Sequence, residues 1–153
     1  MRAITFVEMV VSLLIIALIS TIVLVSYTIL ERRKLEVAAR GLVMDLCWVR
    51  EAAANKHLDY IVDFDTAGEI YSIYEDRDED GNPAADEQIK QQRLAVDLVS
   101  VTDFTGSPLP APQRITFDSP YGVSQERIVN LSRGGKTKSV NIYAETGYVV
   151  LEY

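Results

Sequence analysis

Cysteine, histidine and tryptophan each occur only once in this chain of 153 residues. The single Cys47 excludes a disulfide within the chain, and together with His57 it supplies too few ligands for a Cys/His zinc site. With 5 prolines and 8 glycines, the chain is neither collagen-like nor of low complexity. One histidine is a poor basis for a nucleophilic relay, and His57 falls where the first helix should end. The residue inventory argues against an enzyme.

Positive charge is also scarce. Lys and Arg total 15 against 22 Asp and Glu, a net charge of −7, and residues 59–103 carry 13 acids but only 3 bases. An acidic chain is a poor nucleic-acid binder because phosphate neutralisation needs clustered Lys and Arg. The basic run 133–138 holds three cations around two glycines and is expected to form a solvated hairpin turn. Nucleic acid is therefore not an expected partner.

Charge is absent altogether from residues 9–30, a run of 22 residues rich in Val, Leu and Ile. As a helix, such a run is about 33 Å long, enough to cross a hydrocarbon core of about 30 Å. The alternative is a secretory signal, but the run is longer than a typical signal core and no A-x-A cleavage site follows it. We expect a single membrane-spanning helix.

A helical pattern continues beyond this run. After the charged residues 31–34, apolar residues recur every three or four positions, at Leu35, Ala39, Leu42, Leu46, Val49 and Ala53. This spacing is typical of one buried helix face. The sequence therefore predicts one helix from about residue 4 to residue 56, on the order of 80 Å long. Its first half would lie in lipid, and its second half would carry a domain.

Beyond the helix the pattern changes to a period of two, which predicts strands. The expected strands are 60–64, 70–74, 94–99, 114–117, 128–131, 140–143 and 148–153. Residues 66–68 and 145–147 read as hairpin turns, and the proline-rich 106–112 as a loop. The predicted fold class is α+β, a long N-terminal helix packed on an antiparallel β-sheet domain, with Cys47 and Trp48 in the core.

Glu8 is the one acid in the apolar N-terminal segment. A carboxylate at the centre of a membrane helix costs about 2.5–3.5 kcal/mol, and less near the edge. It could lie at the interface, favoured by the positive end of the helix. It could instead pair with an α-amino group four residues upstream or on a neighbouring subunit. The residues alone leave both readings open.

Residues 1–11 resemble the leader and methylation motif of type IV pilins and type II secretion pseudopilins. In that class a short basic leader ends in Gly and is followed by an apolar residue, Thr, two apolar residues and Glu. Thr5 and Glu8 match, Ile4 takes the place usually held by Phe, and Ala3 stands where Gly is the rule. The resemblance implies cleavage by a prepilin peptidase between Ala3 and Ile4, and N-methylation of Ile4. It also implies an assembly role for Thr5 and Glu8.

The rest of the chain is similar to the minor pseudopilins of the GspH/FimT group. The similarity lies in the helix end at 50–55, in 115–117 ahead of 121–122, and in the last hairpin through Gly147. It implies a leader (1–3), a transmembrane and filament-core helix (4–30), an amphipathic continuation (31–57) and an antiparallel β domain (58–153).

The implied function is a structural subunit of a type II secretion pseudopilus or a type IV pilus. It would cross the inner membrane once, with a cytoplasmic N-terminus and a periplasmic or extracellular C-terminal domain. Its partners would be other pilins and the prepilin peptidase. Two alternatives are a DNA-binding minor pilin for DNA uptake and a membrane-anchored calcium-binding domain that never assembles.

Residues 75–87 hold seven acids and one base, and their order fits the calcium-loop pattern D-x-D-x-D-G-x5-E. The matching residues are Asp76, Asp78, Asp80, Gly81 and Glu87. Alternate carboxylates would bring oxygens to one centre, Glu87 would bind bidentately, and the carbonyl of Asn82 would add a ligand.

The surroundings of this loop are not those of an EF-hand. A strand-like segment precedes it and Pro83 interrupts it, so we expect an isolated loop between strands. The loop predicts a structural calcium ion, the one cofactor the sequence suggests. The alternative is a solvated acidic loop without a metal.

Overall fold

The computed structural model describes residues 6–119 and 122–152, and their side chains apart from those of residues 23–25 and 28. The leader 1–3 and the predicted processing and assembly residues Ala3, Ile4 and Thr5 lie outside the described residues. A single helix, α1 (Phe6–Lys56), occupies 51 residues. It confirms, over this range, the continuous helix expected from residue 4 to residue 56.

The helix ends where His57 adopts a left-handed backbone conformation with φ 57°. Its backbone N–H donates to the Ala53 carbonyl at 3.0 Å, which satisfies one of the free carbonyls of the last turn. Lys56 lies in the same turn, where a cation is favoured by the helix dipole. His57 therefore terminates the helix, as expected.

The strands that follow form two antiparallel sheets. Their bounds are β1 (Asp59–Asp65), β2 (Ile70–Asp76), β3 (Gln88–Arg93), β4 (Asp97–Asp103), β5 (Gln113–Asp118), β6 (Gly122–Val123), β7 (Arg127–Arg133), β8 (Lys136–Ile142) and β9 (Val149–Glu152). One sheet has the order β3-β2-β1-β5-β6 and the other β4-β7-β8-β9. The expectation of one sheet needs this correction, although the α+β class is confirmed.

β3 is a strand that the sequence did not predict. Five of its six side chains are exposed or half-exposed polar groups, so it shows no period of two. It pairs with β2 at the edge of the first sheet, and the Lys90 ammonium lies 2.6 and 2.7 Å from the two Asp45 carboxylate oxygens of α1. Tyr71 of β2 also donates a hydrogen bond to Asp45. Polar contacts with the helix thus support a strand that has no apolar pattern.

The strand expected at 94–99 begins three residues late, at Asp97. Leu94 and Val96 are buried between β3 and β4 without belonging to either strand. The alternation at these positions therefore reports burial, which a connecting segment can provide as well as a strand.

The core lies between the apolar stripe of α1 and both sheets. All six stripe residues are buried, with Leu42, Leu46 and Val49 fully inaccessible, which confirms the predicted helix face. They pack against β1, β5 and β6 of the first sheet and against β7, β8 and β9 of the second. The largest fully buried partners include Tyr60, Phe117, Leu131 and Ile142.

Trp48 and Cys47 were expected in this core, and for Trp48 the expectation is wrong. Its side chain is 45% exposed and meets the Tyr60 ring edge-on at 6.2 Å. Cys47 is half-buried at the margin of the core. Successive helical residues are rotated by about 100°, so positions beside Leu46 turn away from the face that packs on the sheets.

Truncation of the stripe tests this packing. We expect Leu42→Ala to destabilise the full chain in detergent micelles by roughly 2–5 kcal/mol, since it removes buried methyl groups and leaves a cavity. Val37→Ala is the matched control, because Val37 lies on the same helix but is 71% exposed. It should change stability by less than about 0.5 kcal/mol. Equal denaturant midpoints for the two variants would contradict the assigned helix face.

Candidate assembly helix and acidic loop

The first half of α1 is apolar and exposed on every face. Each described side chain from residue 6 to residue 30 is exposed, including Phe6 at 80% and Ile22 at 66%. A helix that is hydrophobic all round is stable only inside a protein core or a membrane. The described part of the chain provides no such core for these residues. The exposed half of α1 is therefore a surface that needs a partner or a lipid environment.

The side chains of residues 23–25 and 28 are not described. Among the described residues, no helix is long and apolar enough to cross a membrane, so the expected span over 4–30 is not identified there.

Glu8 lies in the first turn of α1, on this exposed apolar surface. Val7 and Met9 beside it are 68% and 58% exposed, and Ser12 donates a hydrogen bond to the Glu8 carbonyl at 2.8 Å. The first turn leaves backbone N–H groups without helical acceptors, and a carboxylate is favoured near them. The structure thus places the predicted assembly acid at the N-terminal end of a surface that is mostly apolar and carries no other charge up to residue 30.

A partly buried ion pair lies where the apolar half of α1 meets the domain. Glu31, the first residue after the uncharged run, is only 7% exposed. Its carboxylate accepts hydrogen bonds from the Arg133 guanidinium and, at 3.3 Å, from Lys34. Arg133 also donates to the Ala95 carbonyl at 2.6 Å. The pair fixes the β7–β8 turn beside the point where α1 leaves the domain.

The first residue of the basic run 133–138, Arg133, is therefore held in the structure by Glu31. Gly134 and Gly135 form the two-residue turn between β7 and β8 with φ 58° and 74°, values that favour glycine at both positions. The turn is solvated as expected, but Arg133 is engaged by Glu31. The sequence carried one signal for this pair, since Glu31 lies four residues before Leu35 and so occupies the buried stripe.

Burial and charge act in opposite directions on Glu31. The hydrogen bond from the Arg133 guanidinium lowers the pKa of the Glu31 carboxyl below its ordinary value of 4.5, against the effect of burial, and Lys34 adds to the lowering. The ionised form is therefore favoured in the folded protein. The fold is more stable when Glu31 is charged than when it is protonated.

The acidic loop lies between β2 and β3. Carboxylate oxygens of Asp76, Asp78 and Asp80 lie within 4.8 Å of one another, so the structure brings these three predicted ligands together. Asp76 is 2% exposed, and its Oδ2 accepts a hydrogen bond from the Gly81 N–H at 3.0 Å. Gly81 has φ 72°, which allows the sharp turn expected of it.

Glu87 does not belong to this group. Its side chain is 4% exposed, and its two oxygens accept hydrogen bonds from the Arg77 N–H at 2.8 Å and the Ala84 N–H at 3.2 Å. The structure thus gives Glu87 the role of holding the loop backbone, where a bidentate ligand was expected. Asn82 donates from its backbone to Asp80 Oδ1 at 2.6 Å, and the proposed use of its carbonyl stays a prediction.

Like charges crowd this loop. The Asp80 N–H stabilises the Asp78 carboxylate, but desolvation and the nearby carboxylates of Asp80 and Glu87 hold the pKa of Asp78 above its ordinary value. Lys56 and Arg77 lie close by, yet both pair with Glu75, at 2.8 and 3.2 Å. The three aspartates therefore form a compact group of negative charge next to a separate, neutralised carboxylate.

The fold is shared with proteins of pilus and secretion systems. The chain is similar to the type IV minor pilin FimU of Pseudomonas aeruginosa strain PAO1, at 19% identity and a TM-score of 0.60 over 80% of this chain and 91% of that one. It is also similar to the minor pseudopilin EpsH from the type II secretion system of Vibrio cholerae. That likeness has 16% identity and a TM-score of 0.62, over 78% of this chain and 96% of the other. At these identities the comparison shows a pilin-like fold.

No family model matches the sequence, and no curated protein is similar to it at a significant level.

The Glu31–Arg133 pair can be tested through the pH dependence of stability. The pKa of Glu31 is lower when folded than when unfolded, so the pair stabilises the protein above about pH 4.5. This stabilisation is lost as the pH falls through the folded-state pKa. We expect Arg133→Gln to lower the melting midpoint of the full chain by several degrees at pH 7. The difference in midpoint from wild type should become smaller as the pH falls below about 4.5.

The matched control is Arg40→Gln, which removes an exposed pair with Glu36 on the same helix. Exposed pairs contribute little, so this variant should melt close to wild type at each pH. A gap for Arg133→Gln that is the same at pH 4 and pH 7 would show that Glu31 is not the group involved.

Proposed function

We propose that the protein is a minor pilin or pseudopilin, a non-enzymatic structural subunit that joins a filament through the first half of α1. The observation that carries this proposal is the exposure of an apolar helix surface on every face from residue 6 to residue 30. The pilin-like fold supports it. So does the sequence of residues 1–11, with the features of a prepilin leader and methylation motif.

The division of α1 into two halves fits this function. The second half is covered on one face by both sheets, while the first half extends beyond the domain as a single uninterrupted helix. Burying a large apolar side chain is worth about 1.5–3 kcal/mol, so the first half gains much by packing with copies of similar helices or with lipid. A subunit of this shape can therefore be stored in a membrane and transferred to a helical filament core.

We further propose that residues 9–30 span the inner membrane before assembly, with the β domain on the periplasmic side. The span rests on the sequence, in which these 22 residues carry no charge, and the orientation rests on the resemblance to prepilins. The resemblance of residues 1–11 to prepilins supports cleavage between Ala3 and Ile4 and N-methylation of Ile4. The FimU and EpsH likenesses leave both a type IV pilus and a type II secretion pseudopilus as the filament.

Glu8 has a specific task in this proposal. After cleavage, the new α-amino group at Ile4 would precede Glu8 by four residues in the sequence, and Glu8 could pair with this group or with the same group of a neighbouring subunit. Carboxylates and ammonium groups are both costly in an apolar environment, whereas a paired carboxylate and ammonium group neutralise each other. The pairing would therefore favour the axial register in which each incoming subunit places its Glu8 against a free amine. Thr5 lies beside this pair in the sequence.

Replacement of Glu8 tests the pairing. We expect Glu8→Gln to leave the protein in the membrane but to lower its recovery in sheared filaments severalfold, because the amine would then remain unmatched. The control is Glu36→Gln, which removes an exposed carboxylate from the domain half of the same helix. Crosslinks to neighbouring subunits provide a second measurement. Assembly of Glu8→Gln at the wild-type level would contradict the pairing.

Processing is tested separately by intact-mass spectrometry of the protein recovered from its native host. We expect the mature chain to begin at Ile4, without Met1–Ala3, and to carry one added methyl group. An Ala3→Lys variant should retain the leader, because the small residue at the cut would be lost. A filament subunit that still begins at Met1 would exclude the proposed processing.

A further inference from the structure

We propose that the loop between β2 and β3 binds a calcium ion through the carboxylates of Asp76, Asp78 and Asp80. This inference concerns the domain and is independent of the filament function proposed above. The loop begins directly after β2, whose last residue is Asp76, and ends where β3 begins at Gln88. A bound ion would hold the first part of this loop against the end of β2, in the first sheet.

The distances suit one shared ion. Calcium binds oxygen at about 2.3–2.6 Å, so two oxygens on opposite sides of an ion are at most about 5 Å apart. The oxygens contributed by the three aspartates are all within 4.8 Å of one another. Asp78 and Asp80 remain exposed, so an ion held there can retain water.

Asp76 provides an independent observation that points to a cation. Asp76 is only 2% exposed, so it is more than nine-tenths buried. Its buried Oδ1 atom has no hydrogen-bond partner among the described residues. A buried carboxylate oxygen without a donor is costly, and such atoms are rare in folded proteins. Its other oxygen is already held by the Gly81 N–H. A cation shared with Asp78 and Asp80 would supply the missing interaction.

The loop backbone is held in place without the ion. The Glu75 N–H donates to the Glu87 carbonyl at 3.0 Å, and the Glu87 carboxylate accepts from the N–H groups of Arg77 and Ala84, which flank Asp78 and Asp80 in the sequence. Ion binding therefore does not have to order the whole loop, which lowers its entropic cost. Glu87 acts here as a positioning residue.

The donor set selects a hard cation. Three carboxylates and no nitrogen or sulfur ligand suit calcium or magnesium, and water would complete the coordination shell. Magnesium requires a tight octahedron at about 2.1 Å, which this loop of mostly exposed ligands does not impose. With only three protein carboxylates, we expect a dissociation constant of about 10⁻⁴–10⁻³ M, the range of extracellular calcium modules.

The test uses the full chain in detergent micelles, with calcium chloride or a chelator. At a hundredfold excess of calcium over the dissociation constant, we expect the melting midpoint to rise by roughly 5–10 °C. Titration calorimetry should give the affinity directly, and magnesium at the same concentration should produce a much smaller shift. Equal midpoints with calcium and chelator, together with no heat of binding, would overturn the proposal.

Two variants of the same loop sharpen the test. Asp78→Asn should weaken calcium binding by about tenfold or more, because it removes one of three carboxylates. In chelator it should melt at or above the wild-type midpoint, because it also removes a repelling charge. Asp86→Asn is the matched control, since Asp86 is an exposed acid of the loop outside the cluster. Equal calcium responses of the two variants would overturn the proposal.

A last comparison separates this site from the filament function. Glu8→Gln should keep the full calcium response, since Glu8 lies in the first turn of α1 and not in the domain that carries the loop. Loss of the calcium shift in Glu8→Gln would show that the response comes from the helix and not from the loop. If Glu8→Gln lowers recovery in filaments but keeps the calcium-induced rise in melting midpoint, the defect therefore concerns assembly alone.

Discussion

A single helix has to satisfy two different environments, and the architecture depends on this constraint. Over residues 31–56 the helix is amphipathic, and its stripe from Leu35 to Ala53 is buried by two sheets. Over residues 6–30 it is apolar on every described face, and none of its described side chains is buried by the domain. The domain can be stable as a packed unit while the remaining helix surface stays unsatisfied. The exposed apolar surface therefore favours packing of α1 with other helices or with lipid.

The ion pair of Glu31 with Arg133 lies at the boundary between these environments. A charged residue on the buried stripe would be costly alone, but the guanidinium from the β7–β8 turn and Lys34 compensate it. The pair also ties the β7–β8 turn to the helix, which restricts rotation of the domain about α1 near Glu31. For a subunit whose helix enters a filament core, such a connection would fix the orientation in which the domain meets its neighbours.

Periodicity in the sequence was enough to predict the helix, its buried face and most strands, because burial imposes the spacing of apolar residues. It failed for β3, whose polar side chains contact Asp45 or solvent, and for the division into two sheets, since strand pairing leaves no local pattern. At the candidate site, the aspartate spacing predicted the cluster of Asp76, Asp78 and Asp80. The same motif named Glu87 as a ligand, but the Glu87 carboxylate accepts hydrogen bonds from the Arg77 and Ala84 N–H groups, so its use as a ligand stays a prediction.

The acidic loop and the ion pair lie at opposite ends of the packed helix. Asp76 pairs in register with Asp59, which follows the helix end at Lys56 by three residues, whereas Arg133 meets the helix at Glu31. The intervening 25 residues correspond to about 37 Å of helix. If the apolar half lies in a membrane or a filament core, the loop is therefore carried away from it into the surrounding solution. Outside the cytoplasm, a site of weak affinity can still be filled, because extracellular calcium modules operate at about 10⁻⁴–10⁻³ M.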